Sequence, residues 1–284
     1  MSSKGIFIVV IISCLLSSCG DKPKDIPAEN QQNVTEKQTT EMLVEKIIKK
    51  RKQVVDQLKT LKPSEANGLY EIYKKENDSL IFEIEDLELN TLIAYVSFYS
   101  EDGQNLVLPD SVKLKEKLLN KADLQFWEIG EGMTAIKAKH DFYLNIFKNY
   151  VTPDYRDFIS INSEEDKYLY AADAGLSISL QDLGKRVLSW ENFIVKHHGS
   201  KLMPQAKETY EYYQWDYLFG LDNTPTMERT TAEIYPENRT EFKQFIKENP
   251  NSYTSHLAQI VLNNKGSYES LVAKIKDERA GYIY

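Results

Sequence analysis

The chain has only two cysteines in 284 residues, Cys14 and Cys19, and none from residue 20 onward. Whatever folds beyond that point does so without a disulfide, a thiolate metal site or a cysteine nucleophile. A basic excess is missing too. Lys and Arg number 35 against 43 Asp and Glu, a net charge of −8, and such a balance argues against general nucleic-acid binding, which needs a positive footprint. Glycine (12) and proline (9) are sparse, which leaves room for long helices. The apolar run Ile6–Leu16 is eleven residues long. As a helix it would reach about 16 Å, half of the ~30 Å bilayer core, so it cannot span a membrane.

What that run does carry is an address. Lys4 precedes it and Leu16-Ser17-Ser18-Cys19-Gly20 follows it, the order of a secretory signal that is removed from the folded protein. Leu16-Ser17-Ser18-Cys19 resembles the lipobox of bacterial lipoproteins. The resemblance covers Met1 to Gly20. It implies cleavage after Ser18 and lipidation of Cys19, including a palmitate-type acyl chain; several acyl chains, each buried CH₂ contributing about 0.8 kcal/mol, anchor a protein stably. The mature chain would then carry a net charge of −9, since Lys4 leaves with the signal. The residue after the cysteine is Gly20 and not the aspartate that retains such proteins in the inner membrane. In a Gram-negative cell the outer membrane is therefore expected.

Residues 19–39 are rich in Pro, Asn, Gln, Lys and Glu with no apolar period, and read as a disordered tether. From residue 40 to 284 the pattern is helical throughout, with a subdivision allowed near 150–163. Leu43, Ile47, Val54, Leu58 and Leu61 space a first helix from Thr40 to Leu61 that Pro63 ends. Glu65 to Tyr99 reads as one long helix or two broken at Asn77-Asp78-Ser79. Ser100–Pro109 is a loop, and Asp110 caps a helix to Asn120. Trp127–Gly132 reads as a glycine-marked turn. Met133–Tyr150 follows as an amphipathic helix with His140 on its apolar stripe. Pro153 starts a short helix, and Ser163-Glu164-Glu165-Asp166 resembles a capping box opening another that ends near Gly175. Ser179, Pro204, Glu237, Ser252 and Ser267 open the remaining helices.

One self-similarity lies 52 residues apart. Trp190-x-x-Phe193-Ile194 through His197 to Ser200 aligns without gaps on Phe242-x-x-Phe245-Ile246 through Asn249 to Ser252. The second copy resembles the Y-x-x-F-x-x-x-x-P-x-S junctions of tetratricopeptide-like α-solenoids. The resemblance covers the C-terminal half only and implies irregular stacked helical hairpins, an all-α, α-solenoid-like fold whose concave face binds without catalytic groups.

Motifs that carry catalysis or bind cofactors are missing. The mature chain has no H-E-x-x-H, no P-loop, no dinucleotide fingerprint and no G-x-S-x-G. His197 and His198 are adjacent, so on a helix they point about 100° apart. No cofactor is expected. The stretch Tyr210, Tyr212, Tyr213, Trp215, Tyr217 and Phe219 puts aromatics on every side of one helix. That suits a central core helix, or else a stacking surface for sugar rings or aromatic ligands. The sequence thus points to a membrane-anchored envelope lipoprotein acting as a non-catalytic binding or scaffold module for an envelope protein or glycan. A small-ligand or glycan binder using Tyr210–Phe219 is the alternative, and a hydrolase comes third.

Overall fold

The computed structural model describes residues 38–100 and 105–282. The signal, Cys19 and all but the last two residues of the tether lie outside the described residues. Gln38 to Tyr284 group as one compact unit, and the fold is all-α: ten helices and two small sheets among the described residues.

The first helix, α1 (Thr40–Leu58), is capped by the Thr39 side chain, which accepts from the Met42 amide. The second, α2, runs unbroken from Pro63 to Ala94, 32 residues, or about 48 Å at 1.5 Å per residue. Pro63 therefore opens α2 at its first position, where its missing N–H costs nothing. Asn77 does not break the helix. It is fully buried, and its Nδ2 donates to the Tyr143 hydroxyl at 3.1 Å. A 3-10 turn (Tyr95–Phe98) closes α2, and α3 spans Asp110–Lys121.

The segment read as a turn and a long helix is a β-hairpin, β1 (Leu124–Gly130) and β2 (Met133–Ala138), followed by a short helix α4 (Phe142–Phe147). Leu124 pairs with Ala138 and Phe126 with Ile136, so alternate residues of both strands face the core. Ile136, His140, Tyr143 and Phe147 match a helical period only because a strand and a helix happen to follow each other at that spacing. Gly130, Glu131 and Gly132 all have positive φ (93°, 54° and 71°). A Cβ on Gly130 would stand 2.6 Å from the Cβ of Ala172, so the turn can press against the neighbouring strand only as glycine.

Helix α5 spans Pro153–Glu165, so Ser163 to Glu165 end a helix where the capping-box pattern predicts the start of one, and Ser163 is buried. A two-residue turn with Asp173 and Ala174 at positive φ joins β3 (Ala171–Ala172) to β4 (Gly175–Leu176), the conformation such hairpins require. The last five helices are α6 (Leu180–Lys196), α7 (Met203–Phe219), α8 (Pro236–Glu248), α9 (Tyr253–Leu262) and α10 (Tyr268–Gly281). Ser179, Ser252 and Ser267 cap α6, α9 and α10.

Two cores result. The larger joins the second half of α1 and the first half of α2 to α4–α10. In it Phe158 of α5 meets Trp190 edge-on at 5.3 Å and Tyr155 meets Tyr70 at 6.1 Å. The smaller joins the start of α1, the second half of α2, α3 and the β1–β2 hairpin.

The 52-residue offset has a structural counterpart. His197 and Asn249 end α6 and α8 alike, their amides reaching Phe193 O and Phe245 O at 2.9 Å each. Ser200 and Ser252 then turn back onto His197 O and Asn249 O, at 2.8 and 3.1 Å. Between these junctions stands Glu191 of α6. Its carboxylate accepts from the Tyr253 amide (2.7 Å), Ser252 Oγ (2.8 Å), Thr254 Oγ1 (2.9 Å) and the Tyr210 hydroxyl (3.0 Å). A negative charge at the α9 N-terminus also meets the positive end of that helix dipole. Each hydrogen bond to a charged group contributes about 1.5–3 kcal/mol. Glu191→Ala is expected to lower stability by about 3 kcal/mol, read as a shift of the urea midpoint at unchanged slope. A change below about 0.5 kcal/mol would contradict this role.

Candidate functional site

A groove of about 1060 Å³ runs between α2, β2, α4, α5 and the start of α7. Helix α2 supplies one wall because Tyr70, Lys74, Asp78 and Ile81 recur at helical spacing. The floor is apolar, with Ile81, Ile136, Phe158 and Ile159 all buried. The rim is charged, and three of its lysines are paired with carboxylates. Lys201 meets Glu71 at 2.6 Å, Lys74 meets Asp78 at 2.7 Å and Lys137 meets Asp166 at 3.0 Å. Lysine and the Tyr155 hydroxyl bonding to Glu71 hold its carboxyl below the usual carboxylate range. Burial drives the Tyr143 hydroxyl well above its ordinary value, so it stays a neutral donor, aimed at Asp78 at 3.3 Å. His140 also lines the groove, and its buried Nδ1 has no hydrogen-bond partner.

Beyond Lys137, Asn162 and Asp166 the groove continues into a smaller hollow of about 370 Å³. Its walls are aromatic: Trp127 of β1, Tyr170 beside β3 and Tyr213 of α7. The rings of Tyr170 and Tyr213 lie 4.9 Å apart, and the Lys137 ammonium sits 4.3 Å from the Trp127 ring. Arg186 is fixed by two backbone carbonyls, Glu165 O at 2.9 Å and Tyr168 O at 3.2 Å, and by the Tyr213 hydroxyl at 3.3 Å. The Glu165 carboxylate accepts from Trp190 Nε1 at 2.8 Å and the Tyr213 hydroxyl at 3.2 Å. Burial outweighs these partners and the nearby Arg186 charge, pushing Glu165 up to about 7. The Tyr213 phenol is pushed up to about 12, again chiefly by burial. On the far side of Tyr170, Asp216 accepts from its hydroxyl, and burial raises that carboxyl also.

The aromatic run of α7 does not form one surface. Tyr210 and Tyr217 are fully buried core residues, the latter between Phe242 and Phe245. Trp215 is half-buried on another side, its ring tilted against Phe219 at 4.5 Å, with Lys276 and Arg279 each 5.7 Å from its ring. Only Tyr212 and Tyr213 reach the hollow side, where both lie against Tyr170. Among the other hollow residues, Trp127 comes from β1, Lys137 from β2, Glu165 from α5 and Arg186 from α6, elements far apart in sequence. The one local trace was the Trp127–Lys137 proximity, visible only once the β1–β2 register is known.

Among the described residues no group of three or more His, Cys, Asp or Glu side chains could hold a metal ion. No described helix is long and apolar enough to cross a membrane. Compared with protein-family models, curated proteins and solved structures, the chain finds no match.

Two outcomes are expected. Tyr217→Ala costs about 3–5 kcal/mol of stability as a buried-ring deletion. Tyr212→Ala, at a residue 56 % exposed, stays within about 0.5 kcal/mol. Chemical denaturation of both variants separates core from surface. For Glu165 the folded carboxyl binds its proton more tightly than the unfolded one. Its contribution to stability is therefore full below the unfolded value near 4.5 and is lost as pH rises to about 7. Glu165→Gln keeps an acceptor for Trp190 and should abolish that part of the pH dependence. Denaturation midpoints from pH 4 to 8 that decline equally in the variant would show that Glu165 is not the group responsible.

Proposed function

We propose that this protein is an envelope lipoprotein, anchored through lipid on Cys19, that binds another envelope component without catalysis. The groove carries this reading: its buried apolar floor offers a place for side chains of a partner, and three lysines on its rim are already paired with carboxylates. Paired charges are less hungry for counter-ions, so a polar segment can lie over them with little electrostatic cost. The stacked hairpins give a rigid frame for such a surface. Leu16-Ser17-Ser18-Cys19 supports the anchor and export, with the outer membrane as destination in a Gram-negative cell.

The hollow favours a second reading, a small ligand or glycan. Trp127, Tyr170 and Tyr213 beside Asn162, Asp166 and Thr209 combine flat apolar faces with hydrogen-bonding groups, the two things a sugar ring needs. Of the α7 aromatics, this reading uses Tyr213, with Tyr212 against Tyr170, and leaves Tyr210, Trp215 and Tyr217 to packing.

Palmitate labelling and fractionation of cells carrying the natural chain or Cys19→Ala test the anchor; the natural chain should label and sediment with membranes, the variant do neither. A photocrosslinking residue at Gln205, on the groove wall, should capture an envelope component that the same residue at Val195 does not. Equal capture at both positions would remove the groove from the proposal. Trp127→Ala with unchanged denaturation but at least tenfold weaker binding to a glycan array would favour the second reading instead.

A further inference from the structure

The exposed large apolar side chains are not scattered. Apart from Ile72, Tyr168, Val195 and Tyr212, every one among the described residues lies on the smaller core's lobe: the start of α1, the second half of α2, the chain beyond it, α3 and the β1–β2 hairpin. Phe82, Leu89, Ile93 and Val96 follow one another at intervals of seven, four and three along α2 and its 3-10 extension, so they form a single stripe. Ile93 is 67 % exposed and Val107 69 %. The hairpin turn extends the stripe, since a Cβ on Gly132 would lie 3.4 Å from Val96 Cγ2, and Met133 and Ile129 flank that turn with their side chains exposed. Val107 joins from the other side through its amide, which bonds Phe98 O at 2.8 Å.

This is also the end at which the chain enters the fold. Gln38 Nε2 donates to Glu83 Oε2 at 2.9 Å, and Thr40 Oγ1 donates to Glu88 Oε1 at 2.7 Å. Cys19 stands nineteen residues before Gln38. A chain of that length reaches at most about 65 Å and, if flexible, about 25 Å on average. A compact domain of this size has a radius of gyration of about 18 Å, so an anchor on Cys19 keeps the entry end nearer the bilayer than the far helices.

We propose that this apolar end, the α2 stripe with the β1–β2 turn, rests on the lipid surface beside the anchor, and that its occupant is neutral lipid. The inference rests on the lipoprotein reading above. Charge sets the kind of lipid. Glu85, Asp86, Glu128 and Glu131 border the stripe, and they would repel both an anionic headgroup and a second copy of the same face. Leu, Ile, Val and Met side chains enter the headgroup boundary by apolar burial alone. Contact at this end also leaves the α6–α10 half of the protein directed away from the bilayer.

The test uses the chain from residue 19 onward, whose only cysteine is Cys19. That thiol is coupled to a maleimide phospholipid in phosphatidylcholine vesicles whose acyl chains carry bromine. Tryptophan is introduced at the stripe (Ile93→Trp) or at an exposed apolar position of α6 (Val195→Trp), and the signal of the unsubstituted chain is subtracted. The stripe tryptophan is expected to be quenched at least twofold more than the α6 one, with no gain from anionic lipid and no loss in high salt. Equal quenching of the two would overturn the proposal. So would a concentration-dependent dimer of the uncoupled chain that Ile93→Glu abolishes, which gives the stripe to a second copy. Palmitate labelling of Cys19 in cells is read separately. Loss of label with quenching intact sinks the anchor and not the lipid-contact surface.

Discussion

Glu191 is the group on which the C-terminal half depends. It sits on α6, yet what it binds lies on α7 and at the first turn of α9. A helix N-terminus has four amides without partners of its own, and buried between neighbours α9 could not leave them to water. The carboxylate meets that need from outside the helix, while the Ser252 hydroxyl meets it from within, accepting from the Ser255 amide. Gln214 extends the arrangement by donating to Tyr210 and Thr254, at 2.6 and 2.9 Å. Three helices are thus oriented by directional bonds, and the aromatic contacts around Trp190, Tyr217 and Phe245 fill the space those bonds define. With no cysteine after Cys19, such polar ties do the orienting that disulfides perform in many exported domains.

The smaller lobe has its own version of the same device. Glu88 is buried, and it accepts from Thr40 of α1, Thr91 of its own helix and Lys115 of α3, at 2.7, 3.1 and 2.5 Å. Burial acts to raise its pKa, but Lys115 and the two hydroxyls outweigh that and keep the carboxyl below its ordinary value. Glu165 is the opposite case. It has hydrogen bonds but no ion pair, and burial wins. The two acids show what decides charge in this protein: a lysine in direct contact compensates desolvation, and a guanidinium held elsewhere does not.

Much of the helical order was legible because its punctuation is local. Ser179, Ser252 and Ser267 announce their helices through a side chain one turn ahead of the amide it caps, and Pro153 opens its helix as expected, whereas Pro63, expected to end the first helix, opens α2. The β1–β2 hairpin was not legible. Its strands are six and seven residues long, and Ile136 continues by accident into the helical rhythm of Tyr143 and Phe147. The aromatic residues of α7 stand out in the sequence by type and crowding alone. Which of them reaches solvent is settled by α6, α8 and α10, whose positions no local pattern encodes. The groove was invisible for the same reason, since its walls span Tyr70 to Gln205 and meet only after folding.

The way the chain enters at Gln38 has a mechanical side. α1 lies antiparallel against α2, with Gln38 beside Glu83 at one end and Lys50 paired to Glu76 further along. A pull on the chain ahead of Gln38, directed along α1, would load the whole α1–α2 seam at once in shear, and would not peel it residue by residue. Behind the Gln38–Glu83 bond stands the Thr40–Glu88–Lys115 junction, where three helices are joined through one carboxylate. Strain entering there is shared with α3 and with the length of α2, which carries it into the larger core.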